Sequence, residues 1–186
     1  NSALTLKTRI LGMDQKLCKL SVPIDPSRFK PERLPFTKKG SEVLHKHSFL
    51  KEHNNSYYIT PGDYEVKQDI IIPTHSLLRI TKGTTLRFHE EATLICKSPL
   101  IAIGSKDEPI VFTASGSKWP GLLIAQANGN SKLEHVRIAK VAGIGHDANP
   151  NGIDRGGWML TGGVTFFQSP VDISYCQITE TYSEDA

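Results

Sequence analysis

The chain has 186 residues, 38% of them hydrophobic and 22% charged, with a formal net charge of +3, which is enough material for one or two domains with cores of their own. No run approaches the ~18 to 20 apolar residues of a membrane-spanning helix, and three widely separated cysteines, Cys18, Cys96 and Cys176, argue against a disulfide-stapled scaffold and exclude a close-spaced zinc motif. The charge is unevenly spread: residues 1 to 56 carry eleven Lys or Arg against five acids, and residues 57 to 186 carry eleven against fourteen.

In chain order, LTLKTRIL and CKLSVPI read as two strands. Pro23, Pro26, Pro31 and Pro35 then exclude a regular element. Val43, Leu44, His47 and Leu50 or Lys51 sit near helical spacing and predict a short helix. Residues 1–56 are therefore expected to form an irregular N-terminal arm or cap, or the tail of a preceding domain, ahead of a second domain over 57–186. The opening NSALTLKTR lacks a start methionine and the pattern of a signal peptide, as in a mature product or a piece of a longer protein. Lys38, Lys39, His45, Lys46 and His47 make a mild basic cluster. Single-strand recognition interleaves stacking rings with positive charge, and Phe36, Phe49, Tyr57 and Tyr58 do not repeat in that way. The cluster reads as a solvated face, and no nucleic-acid partner is expected. Asn54-Asn55-Ser56 matches an N-glycosylation acceptor triplet, which is common by chance.

Tyr57 to Val66 reads as strand, turn, strand, with Pro61-Gly62 at the centre of a type II turn. From Asp69 to Ala127 short β-prone pieces (IIIP, LLRI, TLRF, ATLIC, LIAIG, IVFTA, LLIA) are separated by intervals too short for a crossover helix. Apolar residues fall two apart in Leu78 and Ile80, Leu86 and Phe88, Leu94 and Cys96, Ile101 and Ile103, and Ile110 and Phe112, giving each strand one buried face. Pro73 ends its strand for want of a donor, and Gly83 and Gly104 read as corner glycines. Two all-β architectures use this pattern, an antiparallel sandwich or barrel and a parallel β-helix. A repeat favours the second: Leu133, Val136 and Ile138 recur forty residues later as Ile173, Cys176 and Ile178, read as two rungs of about twenty. Leu86 and Phe88 echo as Ile110 and Phe112 at a spacing of 24.

Ile72-Pro73, Lys82-Gly83-Thr84, Gly104, Pro109-Ile110, Phe112-Thr113-Ala114, Trp119 and Gly121, followed by Leu133 to Ile138, resemble the opening rungs of the right-handed parallel β-helix proteins of the pectate-lyase-like group, in bacterial secreted and cell-surface members. The resemblance covers about residues 60 to 186. It implies an all-β, single-stranded right-handed parallel β-helix with three faces per turn, a secreted or cell-envelope location, and further coils beyond Ala186. Because this fold carries lyases, hydrolases, epimerases and adhesins, it does not fix the chemistry.

The remaining candidates are local. Between Val141 and Gly163 the regularity breaks into an excursion rich in Gly, Asn and Asp, the kind of loop on which repeat folds place function. Asp147 and Asp154 are candidate glycosidic carboxylates, and Arg155 a partner for an acidic sugar. Asp147, Asn149, Asn151 and Asp154 alternate as oxygen ligands for a weak calcium site, though without the terminal bidentate glutamate of a calcium loop. Trp158 and Trp119 are candidate sugar-contacting rings, Trp119 also reading as corner packing, and Glu184 and Asp185 as a groove edge. Cys96 and Cys176 read as inward-facing hydrophobes. The expected function is a structural or polysaccharide-contacting domain without catalysis in this portion. The alternative is a polysaccharide lyase or glycoside hydrolase acting on an acidic glycan.

Overall fold

The computed structural model describes residues 3–8, 18–23, 47–145 and 160–183, the first two stretches by backbone alone. The chain divides into two compact units, Asn1–Phe36 and Thr37–Ala186. In the first unit β1 (Ala3–Thr8) pairs antiparallel with β2 (Cys18–Pro23), where the sequence predicts two strands.

Among the described residues of the second unit the first element is β3 (Leu50–His53), a strand where the expected helix would have ended. Val43 and Leu44 lie outside the described residues. Asn54 and Asn55, at φ 49° and 57°, make the two-residue hairpin turn that left-handed Asn favours. That turn sets Leu50 opposite Ile59 and His53 opposite Ser56, so strand pairing overrides the weak helical period. Coils then follow: β4 (Ser56–Ile59), β5 (Gly62–Val66) and β6 (Ile70–Ile72); β7 (Leu77–Thr81), β8 (Thr84–Phe88) and β9 (Leu94–Cys96); β10 (Leu100–Ile103), β11 (Ile110–Ala114) and β12 (Leu122–Ala125). They continue with β13 (Ser131–Glu134), β14 (Val136–Ala139) and β15 (Val164–Phe167), and finally β16 (Val171–Ser174) and β17 (Gln177–Thr179).

Equivalent strands of successive coils pair in parallel, building sheets ordered β16-β13-β10-β7-β4-β3, β17-β14-β11-β8-β5 and β15-β12-β9-β6, with only β3 antiparallel. This is a single-stranded right-handed parallel β-helix, the hand being that of nearly all parallel connections. Phe49, stacked on Tyr64 at 4.8 Å, and the buried Leu50 lie at its N-terminal end.

The forty-residue echo is real in register, with Leu133 facing Ile173 and Ile138 facing Ile178. It spans one coil instead of two, because the excursion after β14 lengthens that coil. The 24-residue echo is shifted: Leu86 faces Phe112 and Phe88 faces Ala114. A slip of two preserves the inward face, so alternation alone does not detect it. The third sheet departs from alternation altogether. Ile71, Ile95 and Leu123 point away from the core ladder yet are 3%, 0% and 3% exposed, which is why these strands read as unbroken apolar runs.

Corners are set by stacked left-handed residues. His135 and Tyr175, Lys140 and Glu180, and Gln126 and Gln168 occupy equivalent places in successive coils with φ between 48° and 62°. Gly83 turns its corner at φ 73° as expected. Gly62, at φ 152°, is more extended than the ~80° of the type II turn predicted there. Gly104 serves close approach instead, since a Cβ on it would lie 2.6 Å from the His135 carbonyl oxygen.

Candidate functional site

At the corner between the first and second sheets, three successive coils line an open groove of about 460 Å³, within the size range of small-ligand sites. The third coil contributes Ser105, Lys106 and Pro109, the fourth His135 and Arg137, and the fifth Tyr175, Cys176 and Gln177. Backbone bonds hold the three layers together: Gly104 donates to the Glu134 carbonyl at 2.8 Å, Ile110 to His135 at 3.1 Å and His135 to Ser174 at 3.1 Å. Within the loop before β11, Ser105 Oγ accepts from the Glu108 amide at 3.1 Å, closing the turn that carries Lys106.

The aromatic wall follows from register. Because Leu133 faces Ile173, the corner residues two places on, His135 and Tyr175, also stack, their rings 4.8 Å apart and inclined by 10°. Tyr175 is 76% exposed. Arg137 alternates outward from β14, where Val111 and Gln177 are its ladder neighbours. The Cys176 thiol is turned to the Ser174 carbonyl at 3.3 Å, so it lines the groove as a partly buried hydrophobe.

Charge in the groove is one-sided. Glu134 is bound to Lys132 at 2.8 Å, and that hydrogen bond holds its carboxyl below the usual range, with a smaller contribution from nearby His135. Glu108 is spent on Lys82. Neither carboxylate lines the groove, while Lys106 and Arg137 do. The arrangement offers an exposed ring, two cations and short polar groups, and no carboxylate among the described lining.

Asp147, Asn149, Asn151, Asp154, Arg155 and Trp158, and likewise Glu184 and Asp185, lie outside the described residues. The base of the excursion is described: Ile144 and Leu160 exchange backbone bonds of 2.8 and 2.7 Å, and Val141 pairs with Trp119. Trp119 is not a sugar platform. It is fully buried, stacked on Phe88 at 4.0 Å, and its indole N–H donates to the Ala139 carbonyl at 2.9 Å, so the corner-packing reading is the one observed. Among the described residues no three His, Cys, Asp or Glu converge as a metal site, and no helix is long and apolar enough to cross a membrane.

No protein-family model, curated protein or solved structure matches the chain. The fold and the groove define a class, a parallel β-helix domain with an open aromatic and cationic groove at one corner of the stack.

Proposed function

We propose that this is a carbohydrate-contacting β-helix domain of a secreted or cell-envelope protein, related to the bacterial pectate-lyase-like group, and that it binds a polysaccharide in the groove walled by Tyr175. The observation that carries this reading is the Tyr175 ring, mostly exposed and backed face-on by His135 at 4.8 Å. A rigid, amphipathic ring presented at low entropic cost is the usual means of contacting a ligand with one apolar face. Ser105 and Gln177 supply hydroxyl and amide groups for sugar hydroxyls beside it. Binding is favoured over glycoside hydrolysis, which needs paired carboxyls, because the described lining of the groove supplies none and Asp147 and Asp154 lie outside the described residues.

The test is binding of the whole chain to a glycan array, with Tyr175→Ala and Tyr182→Ala compared. Tyr182 is also exposed, at 45%, but lies outside the groove lining. Binding to at least one glycan that Tyr175→Ala abolishes and Tyr182→Ala retains is the expected result. An array silent throughout, or equal loss in both variants, overturns the reading.

A further inference from the structure

We propose that the outer face of the third sheet is an internal docking surface, closed by the excursion of this same chain, residues 146–159. The inference stands apart from what the groove binds. Ile71, Ile95 and Leu123 form one outward ladder on successive coils and do not belong to the packed core. Ala125, two places beyond Leu123 on the same face, is 1% exposed. The other two sheets show how such a ladder stands in the open. On the first, Ile101 lies between Arg79 and Lys132 and stays partly exposed in spite of both long stems, and Ile103 is 41% exposed. On the second, Thr85, Val111 and Arg137 are all partly or fully open to solvent. Ladder neighbours alone therefore do not close an outward isoleucine, and closing Ile95 takes a further layer of chain. That layer reaches the end of β9, where burial lowers the Lys97 ammonium. It stops short of the fourth coil, where Thr165 continues the ladder half-buried and Phe167 is 48% exposed.

The point at which the excursion leaves the stack selects it as the occupant. Val141 pairs with Trp119 and Gly163 meets Gly121, so residues 142–162 are inserted where the fourth coil enters the third sheet. Ala142 and Ile144, at the base of the excursion, are fully buried, yet they too lie outside the packed core. A second apolar layer thus begins at the edge of that sheet, and the excursion carries Ile153, Trp158 and Met159 to continue it. Burying them against the ladder removes two apolar surfaces from water at once. Fourteen residues that leave and return at one bridge, Ile144 with Leu160, reach at most about 23 Å. The first coil lies three strand spacings, about 14 Å, from the fourth, so Ile71 is within reach. Residues 37–46 are the competing segment. They join at His47, bonded to the Asp69 carbonyl on the first coil, the end of the ladder farthest from Leu123, and Leu123 is as tightly closed as Ile71. In a three-faced stack the third sheet lies across from the corner between the first and second. Asp147, Asp154 and Arg155 are therefore held away from the groove.

The experiment places Leu123→Cys as a reporter in the whole chain and in a form whose residues 146–159 are replaced by two glycines, and follows iodoacetamide labelling by peptide mapping. Thiol labelling reads access. In the whole chain, position 123 should label as slowly as the buried Cys96. In the shortened form it should label about tenfold faster or more, while Cys96 stays protected and shows that the coils remain folded. Rapid labelling at position 123 in the whole chain, or protection that survives the shortening, overturns the inference. If the shortened form does not fold, which loss of Cys96 protection reports, the whole chain carries the test alone. With Leu123 replaced by its photoreactive diazirine analogue, illumination should give adducts within residues 146–159. Adducts confined to residues before His47, or to solvent, overturn the assignment.

Discussion

Phe112 is fully buried, edge-on to Phe88 at 6.4 Å, and Phe88 in turn lies flat on Trp119. A narrow coil has few side chains per layer to relax into a hole, so Phe112→Ala is expected to cost ~3 to 5 kcal/mol. Lys106→Ala, at an exposed loop position, should stay within ~0.5 kcal/mol. Denaturant midpoints measure both, and similar values for the two would contradict the inward placement of Phe112. Cysteine chemistry offers a second check. Burial raises the Cys96 thiol far above its usual range, so in the native protein iodoacetamide should modify Cys176, which is partly buried at the groove, well before Cys96. Peptide mapping showing Cys96 modified first would sink that assignment. Inward residues such as Phe112 and Cys96 were legible because alternation places them. The stack of His135 on Tyr175 was also within reach, since the forty-residue register carries one onto the other. Lys106 was not, because its place beside Arg137 depends on a loop of one coil meeting the corner of the next.

Strands and corners obey different rules, and each element was legible to the extent that its rule is local. Period-two spacing identified β7, β8 and β11. In β10 the pair Ile101 and Ile103 marks the wrong face: Leu100 and Ala102 are buried and Ile103 is 41% exposed, because Leu-Ile-Ala-Ile offers an apolar residue at every position and alternation cannot choose between the two faces. The length of the coil did not follow from the period, because an excursion at a corner changes chain length without changing the strand that comes next. Close approach between coils is likewise invisible in one-dimensional pattern. Gly121, at φ 122°, would place a Cβ 1.9 Å from the Gly163 carbonyl oxygen, whereas a Cβ on Gly116 meets nothing within 4 Å. Gly121→Ala should therefore cost ~3 kcal/mol or more through backbone strain and a clash with the adjacent coil, and Gly116→Ala less than ~0.5 kcal/mol. Thermal unfolding of the pair decides it, and a tolerated Gly121→Ala would mean that the two corners are not in contact. The outer ladder makes a pH prediction. The hydrogen bond from Arg87 lowers the Asp63 carboxyl, and that from Lys132 lowers the Glu134 carboxyl. A lowered folded-state value stabilises above the ordinary 3.8 of Asp63 and 4.5 of Glu134, and the contribution is lost as pH falls through the folded-state values. The groups are exposed, so the effect is small. Urea midpoints of Asp63→Asn and Glu134→Gln should lie slightly below wild type near neutral pH and converge with it in acid. A gap that widens in acid would reverse the sign.

Across the whole stack, stability is a sum over coils, each resting on its neighbours. Ile138 and Ile178 occupy the same ladder position on successive coils, but Ile138 is 1% exposed and Ile178 38%, because among the described residues β14 has a strand on either side and β17 has one on a single side. The pair isolates what a neighbouring coil contributes at fixed side-chain chemistry. Ile138→Ala should cost ~2 to 5 kcal/mol, as for a closed cavity, and Ile178→Ala about 1 kcal/mol, since the site is already wet and can collapse. Hydrogen exchange reads the same gradient without mutation. Amides of β16 and β17, with Ile173 at 49% exposure beside Ile178, should open by local fraying, while those of β8 and β11 exchange only through more extensive unfolding. The ligand test couples to this gradient, because Tyr175 and Gln177 belong to the fraying coil and Arg137 to the one beneath it. A saccharide spanning both layers should slow exchange in β16 and β17 and leave β8 unchanged. Protection that rises equally in every coil would place the ligand elsewhere on the stack.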